Sequence, residues 1–516
     1  MSFKQWIVRS TTKEHMRNGV GCIKKNWLKL AGIIALAPIM GSATEAKPAE
    51  RANVLFFMVD DLKPLMGCYG DPVAKTPNLD SLAARGAIFT RAACQISICA
   101  PSRASIFTGL RPDTLKCYTN AEKFRDTCPD AVTMQRAFRR SGYYVVSLGK
   151  VYDARNADSG GWDEEMMPSS EDKILYALDE NQKLFAENDA RYAAASTQER
   201  FNLWRVGPAY EAAPLDDLHY WDGKVAEKAI ETLRRIKDKP FFLGVGFSKP
   251  HLPFACPKKY WDIYDHEKMP LALHTDPPEN GVPMALHDGF ELRQFQGIPH
   301  KGKLNDDLAR TLIQGYYACA SFADAMVGRV LSELDALGLK DNTIIVLMGD
   351  HGWHLGDKGI WGKFTAYQEA SVAPLIIVDP RRSSTGRVDG LVEFVDVYPS
   401  LCELAGIVPP SEIQGVSFVP LLEDSSKGWK KAVFTQAGRG AAWKEIIGTS
   451  MRTERYNYVE WRNRLNGTLR GCELYDLKKD PGELENLALN PENKTRLDQW
   501  AQQMSAGWQG ALPAKK

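Results

Sequence analysis

The chain has 516 residues, of which 44% are hydrophobic, 25% charged and 10% aromatic, a composition that excludes disorder, collagen and coiled coil. Its 65 Lys and Arg face 64 Asp and Glu, for a net charge of +1, so no basic excess exists to neutralise the phosphates of a nucleic acid. That length suffices for one large core and a smaller second domain.

Residues 1–46 read as a signal peptide. They hold seven basic and two acidic residues, so their removal turns the net charge to −4. The apolar run Leu30–Met40 follows Lys24, Lys25 and Lys29 and ends in Gly41, Ser42 and Ala43, with Ala46 a second cleavage point. The run is too short to span a bilayer, and no stable membrane span is expected after cleavage. The sequence therefore predicts export, to a periplasm or the medium.

The remainder alternates strands and helices. NVLFFMV (53–59), YYVVSL (143–148), PFFLGVGF (240–247), TIIVLM (343–348) and PLIIV (374–378) are apolar on both faces, as parallel strands covered on both sides must be. Helical patterns lie at 81–89, 131–142 and 305–338, with Gly142 and Gly338 as stops. The alternation predicts an α/β sandwich around a large, mostly parallel sheet, over residues 47–422. From 423 to 516 the texture changes to short alternating strands (KAVFTQA, EIIGTSMRT, RYNYVEWR) and a terminal amphipathic helix, a smaller α+β subdomain.

Ten cysteines are too few for a disulfide scaffold. Cys117 and Cys128 flank a polar stretch and are expected to close one loop as a disulfide in exported protein. Cys68, Cys94, Cys319 and Cys402 read as core thiols.

Ligands bind beyond the carboxyl ends of parallel strands, and four of these strands run into polar residues. They are followed by Asp60-Asp61, by Gly149-Lys150, by Ser248-Lys249-Pro250-His251 and by Gly349-Asp350-His351. Asp60, Asp61 and Asp350 on one rim would repel one another unless a cation sat among them. Oxygen-rich ligation favours calcium or magnesium over zinc, and His351 is the misfit in such a set. In ISICAPSRASIFTGLRPD (96–113), Cys99 stands at or just before a helix start marked by Pro101, where exposed N–H groups favour an anion. Arg103 adds a fixed charge that can hold that anion or orient the group at 99.

Cys99-Ala100-Pro101-Ser102-Arg103 matches the C-x-P-S-R signature of the type I sulfatases, which the chain resembles from about Asn53 to its C-terminus. VDDLKP, GLRPDT, LGKVY, SKPHLPF, DHGWHLGDKG and ELYDLKKDP resemble the iduronate-2-sulfatase branch in order and spacing. The resemblance implies an alkaline-phosphatase-like fold and a sulfuric ester hydrolase. It implies that Cys99 is oxidised to formylglycine by a formylglycine-generating or anaerobic sulfatase-maturating enzyme. As a hydrate, that aldehyde offers one hydroxyl to attack sulfur and a second to expel sulfate. Asp60, Asp61, Asp350 and His351 match calcium ligands, with the group at Cys99 and a sulfate oxygen completing the shell. Arg103 and Lys150 match residues that stabilise the formylglycine hydroxyl. His251 matches a sulfate-binding histidine and candidate proton donor, and Lys363 a lysine bridging sulfate and nucleophile.

One departure stands out. Asp153 follows LGKVY where the iduronate-type pattern has histidine, and an ionised carboxylate there would repel a sulfate unless it turned away or paired with a base such as Arg155. The expected substrate is a sulfated oligosaccharide or polysaccharide, attacked at a chain end. The alternatives are a phosphodiesterase or phosphonate monoester hydrolase of the same superfamily and a catalytically silent glycan-binding relative. Specificity is expected in the polar loops 158–198 and 276–303.

Overall fold

A computed structural model describes residues 51–167, 175–383, 385–440 and 444–514. The expected signal segment lies outside these residues. Among them, no helix is long and apolar enough to cross a membrane.

In chain order the elements that build the site are β1 (Asn53–Val59), α1 (Pro77–Ala83), β2 (Ala87–Phe89), α2 (Cys99–Thr108), α3 (Met134–Arg140), β3 (Tyr144–Gly149) and β4 (Glu164–Met166). They continue with α4 (Trp221–Ile236), β5 (Phe241–Phe247), α5 (Asp306–Ala336), β6 (Thr343–Gly349), β7 (Leu375–Val378) and β8 (Gly386–Val388). The eight strands form one sheet in the order β8-β2-β7-β6-β1-β5-β3-β4. β7 runs antiparallel to both of its neighbours, and every other adjacent pair is parallel.

Every residue of β1 is buried, and its two faces feed different cores. Leu55, Phe57 and Val59 pack with Val225, Ala229 and Leu233 of α4 and Tyr316, Phe322 and Met326 of α5. Val54, Phe56 and Met58 pack on the other side with Ile106 and Phe107 of α2 and Phe138 of α3. Each such side chain contributes about 1.5–3 kcal/mol on burial, so the central strands are fixed from both sides. α3 and α5 are followed by Gly142 (φ 86°) and Gly338 (φ 71°), left-handed residues that end the helices where the glycines predicted it. α5 opens at Asn305, whose side chain accepts from the Leu308 N–H at 2.8 Å.

The stretch 81–89, expected to be one helix, is instead the end of α1, a turn and the strand β2. The break falls at Gly86, where a Cβ would lie 2.3 Å from the Ile377 carbonyl oxygen of β7. Cys117 and Cys128 are free thiols rather than the expected disulfide. Cys117 Sγ is turned to the Leu115 carbonyl (3.5 Å) and Cys128 Sγ to the Thr114 carbonyl (3.6 Å).

The C-terminal part is a smaller unit of antiparallel strands. β9 (Val433–Arg439), β10 (Ile446–Arg452), β11 (Tyr456–Asn463) and β12 (Leu469–Asp476) pair in sequence order. β12 has no counterpart among the expected strands. The terminal helix α6 (Lys494–Gly510) lays Trp500, Met504 and Trp508 on Phe434, Met451 and Tyr458 of this sheet.

Candidate active site

β6, β1, β5 and β3 are consecutive parallel neighbours, so the residues following them meet on one rim. Successive residues of a strand point to opposite faces, and two adjacent aspartates can serve one site only if the chain leaves the strand. Asp61 does so at φ 59°, in the left-handed region that costs a non-glycine residue about 1–3 kcal/mol. The conformation is held by its N–H, which donates to Asp350 Oδ1 (3.1 Å), and by the Tyr316 hydroxyl, which donates to its carbonyl (2.7 Å). At the end of β3, Gly149 (φ 71°) has no room for a side chain: a Cβ would lie 2.4 Å from the Gly246 carbonyl oxygen. That close approach delivers Lys150 to the rim.

Cys99 is the first residue of α2, a helix buried along its whole length. Pro101 lies in the first turn, where its missing N–H costs nothing. One turn on, Arg103 is fully buried and ties three strand ends together. Its Nη2 donates to Asp60 Oδ1 (2.7 Å), its Nε to Asp350 Oδ2 (2.9 Å), and its Nη1 to the carbonyls of Lys150 and Val151. Lys150 Nζ donates to the second oxygen of Asp60. Lys363 Nζ donates to Asp61 Oδ1 (2.8 Å) and lies 3.5 Å from Cys99 Sγ.

His351 Nδ1 faces the Gly352 carbonyl at 3.0 Å, so that nitrogen carries a proton and Nε2 is the ring atom turned into the site. Nε2 is 3.2 Å from Cys99 Sγ and 3.5 Å from both Asp61 Oδ1 and Asp350 Oδ2. His251 Nδ1 donates to the Leu252 carbonyl (2.6 Å), and its Nε2 looks into the site, 3.7 Å from Asp61 Oδ2.

The electrostatics follow from this packing. Burial alone would raise Asp60, but Lys150 and Arg103 beside it hold its carboxyl well below the usual carboxylate range. Burial pushes Asp61 up in spite of His251 and Lys363. Burial, with Asp60 adding to it, also pushes the Cys99 thiol well above its ordinary value. Ligand atoms of Asp60, Asp61, Cys99 and His251 lie within 4.8 Å of one another, as do those of Cys99, Asp350 and His351. A set dominated by buried carboxylate oxygens, with one imidazole nitrogen beside them, fits a hard divalent cation such as calcium.

The expected site residues Asp60, Asp61, Cys99, Arg103, Lys150, His251, Asp350, His351 and Lys363 are thus brought together. Glu291, not singled out from the sequence, joins them. Its Oε1 is 3.1 Å from His251 Nε2 and its Oε2 is 3.4 Å from Lys363 Nζ. Burial would raise its carboxyl, but Lys363 and His251 hold it well below the usual range. The only sequence signal was its place in the polar loop 276–303, from which no single acid stands out. Asp153 does not face the site as a bare carboxylate. It accepts from Arg155 Nε (2.7 Å) and Nη2 (2.6 Å), and although burial opposes it, Arg155 and Lys150 bring its pKa down to about 2.

Comparison with known proteins agrees with this constellation. The sulfatase family model matches residues 52–407, and that of the C-terminal part of N-sulphoglucosamine sulphohydrolase matches residues 350–508. Human iduronate 2-sulfatase is 33% identical over 439 residues, covering 76% of each chain. Among solved structures, a phosphonate monoester hydrolase of Agrobacterium radiobacter superposes with a TM-score of 0.71 at 23% identity, over 88% of this chain and 95% of that one. A structure in complex with its substrate D-glucosamine-2-N,6-O-disulfate superposes with a TM-score of 0.70 at 22% identity, over 90% and 98%. Both share the fold, an alkaline-phosphatase-like sandwich with a smaller C-terminal domain of antiparallel strands. With a family model spanning most of the chain and a sulfatase relative at one-third identity, the chain belongs to the sulfatase family, as a type I sulfatase resembling the iduronate-2-sulfatase branch, and is a sulfuric ester hydrolase.

Proposed function

We propose that this enzyme removes sulfate from the terminal sugar of a sulfated oligosaccharide or polysaccharide outside the cytoplasm, using a formylglycine made from Cys99 and a calcium ion. One observation carries the reading: the Cys99 side chain, at the N-terminus of a buried helix, lies 3.5 Å from Lys363 Nζ and 3.2 Å from His351 Nε2, with the carboxylates of Asp60, Asp61 and Asp350 around it. A cavity of about 270 Å³ bordered by Lys150, Asp153, Trp221 and His251 supports an exo mode, since it suits a single ring rather than a continuous chain. The lysine-rich segment ahead of Leu30–Met40 supports export.

Calcium held by Asp60, Asp61, Asp350 and His351 would supply positive charge to the sulfate oxygens and to the nucleophile. Formylglycine at 99 would supply, as its hydrate, one hydroxyl to attack sulfur and a second whose deprotonation releases sulfate. The remaining work belongs to the chain's own side chains. Arg103 and Lys150 fix the carboxylate of Asp60 and orient the group at 99. Lys363 reaches both that group and the sulfate, offsetting charge that grows in the transition state. His251, pinned through Nδ1, presents Nε2 to the leaving oxygen and gives it a proton. Cys99 is only 2% exposed, so its oxidation by a maturation enzyme has to precede folding.

The test is peptide mass spectrometry of active enzyme alongside turnover of an aryl sulfate, with a phosphonate monoester assayed in parallel. The expected result is an aldehyde or its hydrate at position 99, sulfate release as the faster reaction, and loss of both activities in Cys99→Ala. Full activity with an unmodified thiol sinks the mechanism. Faster turnover of the phosphonate ester assigns the site to phosphoryl substrates.

A further inference from the structure

The wall of the cavity beside Lys150 and His251 carries two cations that the proposed chemistry does not use, and one of them, Lys249, is buried with its Nζ turned to the carbonyls of His251 (3.3 Å) and Pro253 (2.7 Å). Arg155 lines that cavity, and its side chain is 58% exposed. It is nonetheless fixed. Asp153, buried behind it, accepts from its Nε and Nη2, and the Arg155 backbone N–H donates to the same carboxylate at 3.0 Å. This side-on fork leaves Nη1 without a protein partner among the described residues. Arg155 shares this cavity with Lys150 and His251, so it stands at the edge of the candidate catalytic site.

A carboxylate on this wall would by itself repel an anionic substrate. The pair reverses that: the acid is buried, the guanidinium stands outermost, and the free donors point away from the acid that holds them. A guanidinium already locked in one geometry loses little conformational freedom on binding and presents a planar fork suited to a carboxylate or a sulfate. Lys150, 24% exposed, borders the same cavity, so a second cation beside Arg155 faces the sugar. A neutral sugar would leave the outward edge of Arg155 facing water and gain nothing from it.

We propose that Arg155, positioned by Asp153, is a specificity residue that binds a second anionic group, a carboxylate or a further sulfate, on the sugar bearing the scissile ester. The proposal rests on the sulfatase reading and narrows its substrate class to sugars with two negative charges.

The experiment compares mature wild-type enzyme with Arg155→Ala, Arg155→Lys and Asp153→Asn on four kinds of substrate. These are an aryl sulfate, hexose monosulfates, hexuronate monosulfates and hexose disulfates, with the ring position of the sulfate matched. Wild-type kcat/KM is expected to be at least tenfold higher for sugars with a second anion than for hexose monosulfates. In Arg155→Ala that preference falls to below threefold, mainly through KM, and the loss on the favoured sugar exceeds the loss on aryl sulfate at least tenfold. Arg155→Lys recovers part of the preference, and Asp153→Asn lies between wild type and Arg155→Ala. A preference for the uronate identifies the second anion as a carboxylate, and one for the disulfate identifies it as sulfate. The proposal is overturned if the wild type shows no preference for a second anion, or if Arg155→Ala loses aryl and sugar turnover in parallel. Failure of the wild type on the aryl sulfate and on every sugar sulfate overturns instead the sulfatase reading beneath it.

Discussion

His354 gives the structure a defined acid sensitivity. It is fully buried, its Nε2 lies 2.8 Å from the Thr365 hydroxyl, and its Nδ1 has no partner among the described residues. Burial pushes its pKa down from 6.5 to about 4, with Glu369 and Asp357 opposing the shift and Lys358 and Lys63 adding to it. Because the folded value is depressed, the unfolded chain takes up the proton first as pH falls. The stabilisation is therefore complete above pH 6.5, declines below it, and is gone once pH passes the folded value near 4. At about 1.36 kcal/mol per pH unit the full effect is about 3 kcal/mol, of which about 2 kcal/mol is lost between pH 7.5 and pH 5. The perturbation is His354→Gln, whose amide keeps a polar contact with Thr365 and does not titrate. Urea unfolding of both proteins from pH 7.5 to pH 5 gives the difference in stability at each pH. Titrating groups away from His354 are shared and cancel, Glu369 and Asp357 beside it are both held below their ordinary values and so below this pH range, and any constant cost of the substitution leaves the slope alone. Wild type is expected to lose about 2 kcal/mol more than the variant. Parallel curves, differing by less than about 0.5 kcal/mol across the range, would refute the assignment of the proton to His354.

Further outcomes follow from the site. Arg103→Met leaves Asp60 and Asp350 buried without their shared cation and is expected to lower stability by about 3–5 kcal/mol, read by denaturant unfolding; a change below about 1 kcal/mol contradicts the clamp. Calcium chelation of the mature enzyme is expected to abolish aryl sulfate turnover, and calcium is expected to restore it better than zinc, given the oxygen-rich ligand set. Glu291→Gln removes the carboxylate that already occupies His251 and Lys363, so KM for aryl sulfate is expected to fall about threefold to tenfold by loss of the competing charge. A rise in KM would show that Glu291 holds those two groups in place for the substrate. His251→Ala is expected to depress turnover of sugar sulfates far more than of aryl sulfates, whose leaving groups need little proton donation; equal loss on both argues against a proton donor.

Much of this architecture was legible because the central strands are buried on both faces. NVLFFMV and TIIVLM are continuous apolar runs, and a run of that kind between helical patterns has few other uses. Their polar successors were legible as a site for the same reason, since four parallel strand ends share one rim. Direction was not legible: Leu375–Val378 has the same composition as its parallel neighbours and runs the other way. Its hidden partner was missed with it, because the helical texture of 81–89 is broken only by Gly86, and the reason for that glycine is a carbonyl of β7 almost three hundred residues away.

The site itself divides along the same line between local and distant causes. Cys99, Pro101 and Arg103 are set by one turn of one helix, so spacing alone placed them together. Asp60 and Asp61 are adjacent in sequence, yet regular strand geometry would send them to opposite faces, and their joint use depends on a left-handed residue held by Asp350 and Tyr316. Glu291 has no local signature beyond its place in a polar loop, because its contacts arise only where the loop after β5 meets His251 and the segment carrying Lys363. Asp153 shows the reverse case. From the sequence it looked like a charge of the wrong sign beside a sulfate; with Arg155 two residues on, the same carboxylate is largely buried and paired, and the cavity wall carries an ion pair whose exposed member is the guanidinium. A residue's charge thus says little about the field it presents until its nearest partner is known. The position after LGKVY has therefore to be read together with Arg155, whose Nε and Nη2 engage the Asp153 carboxylate.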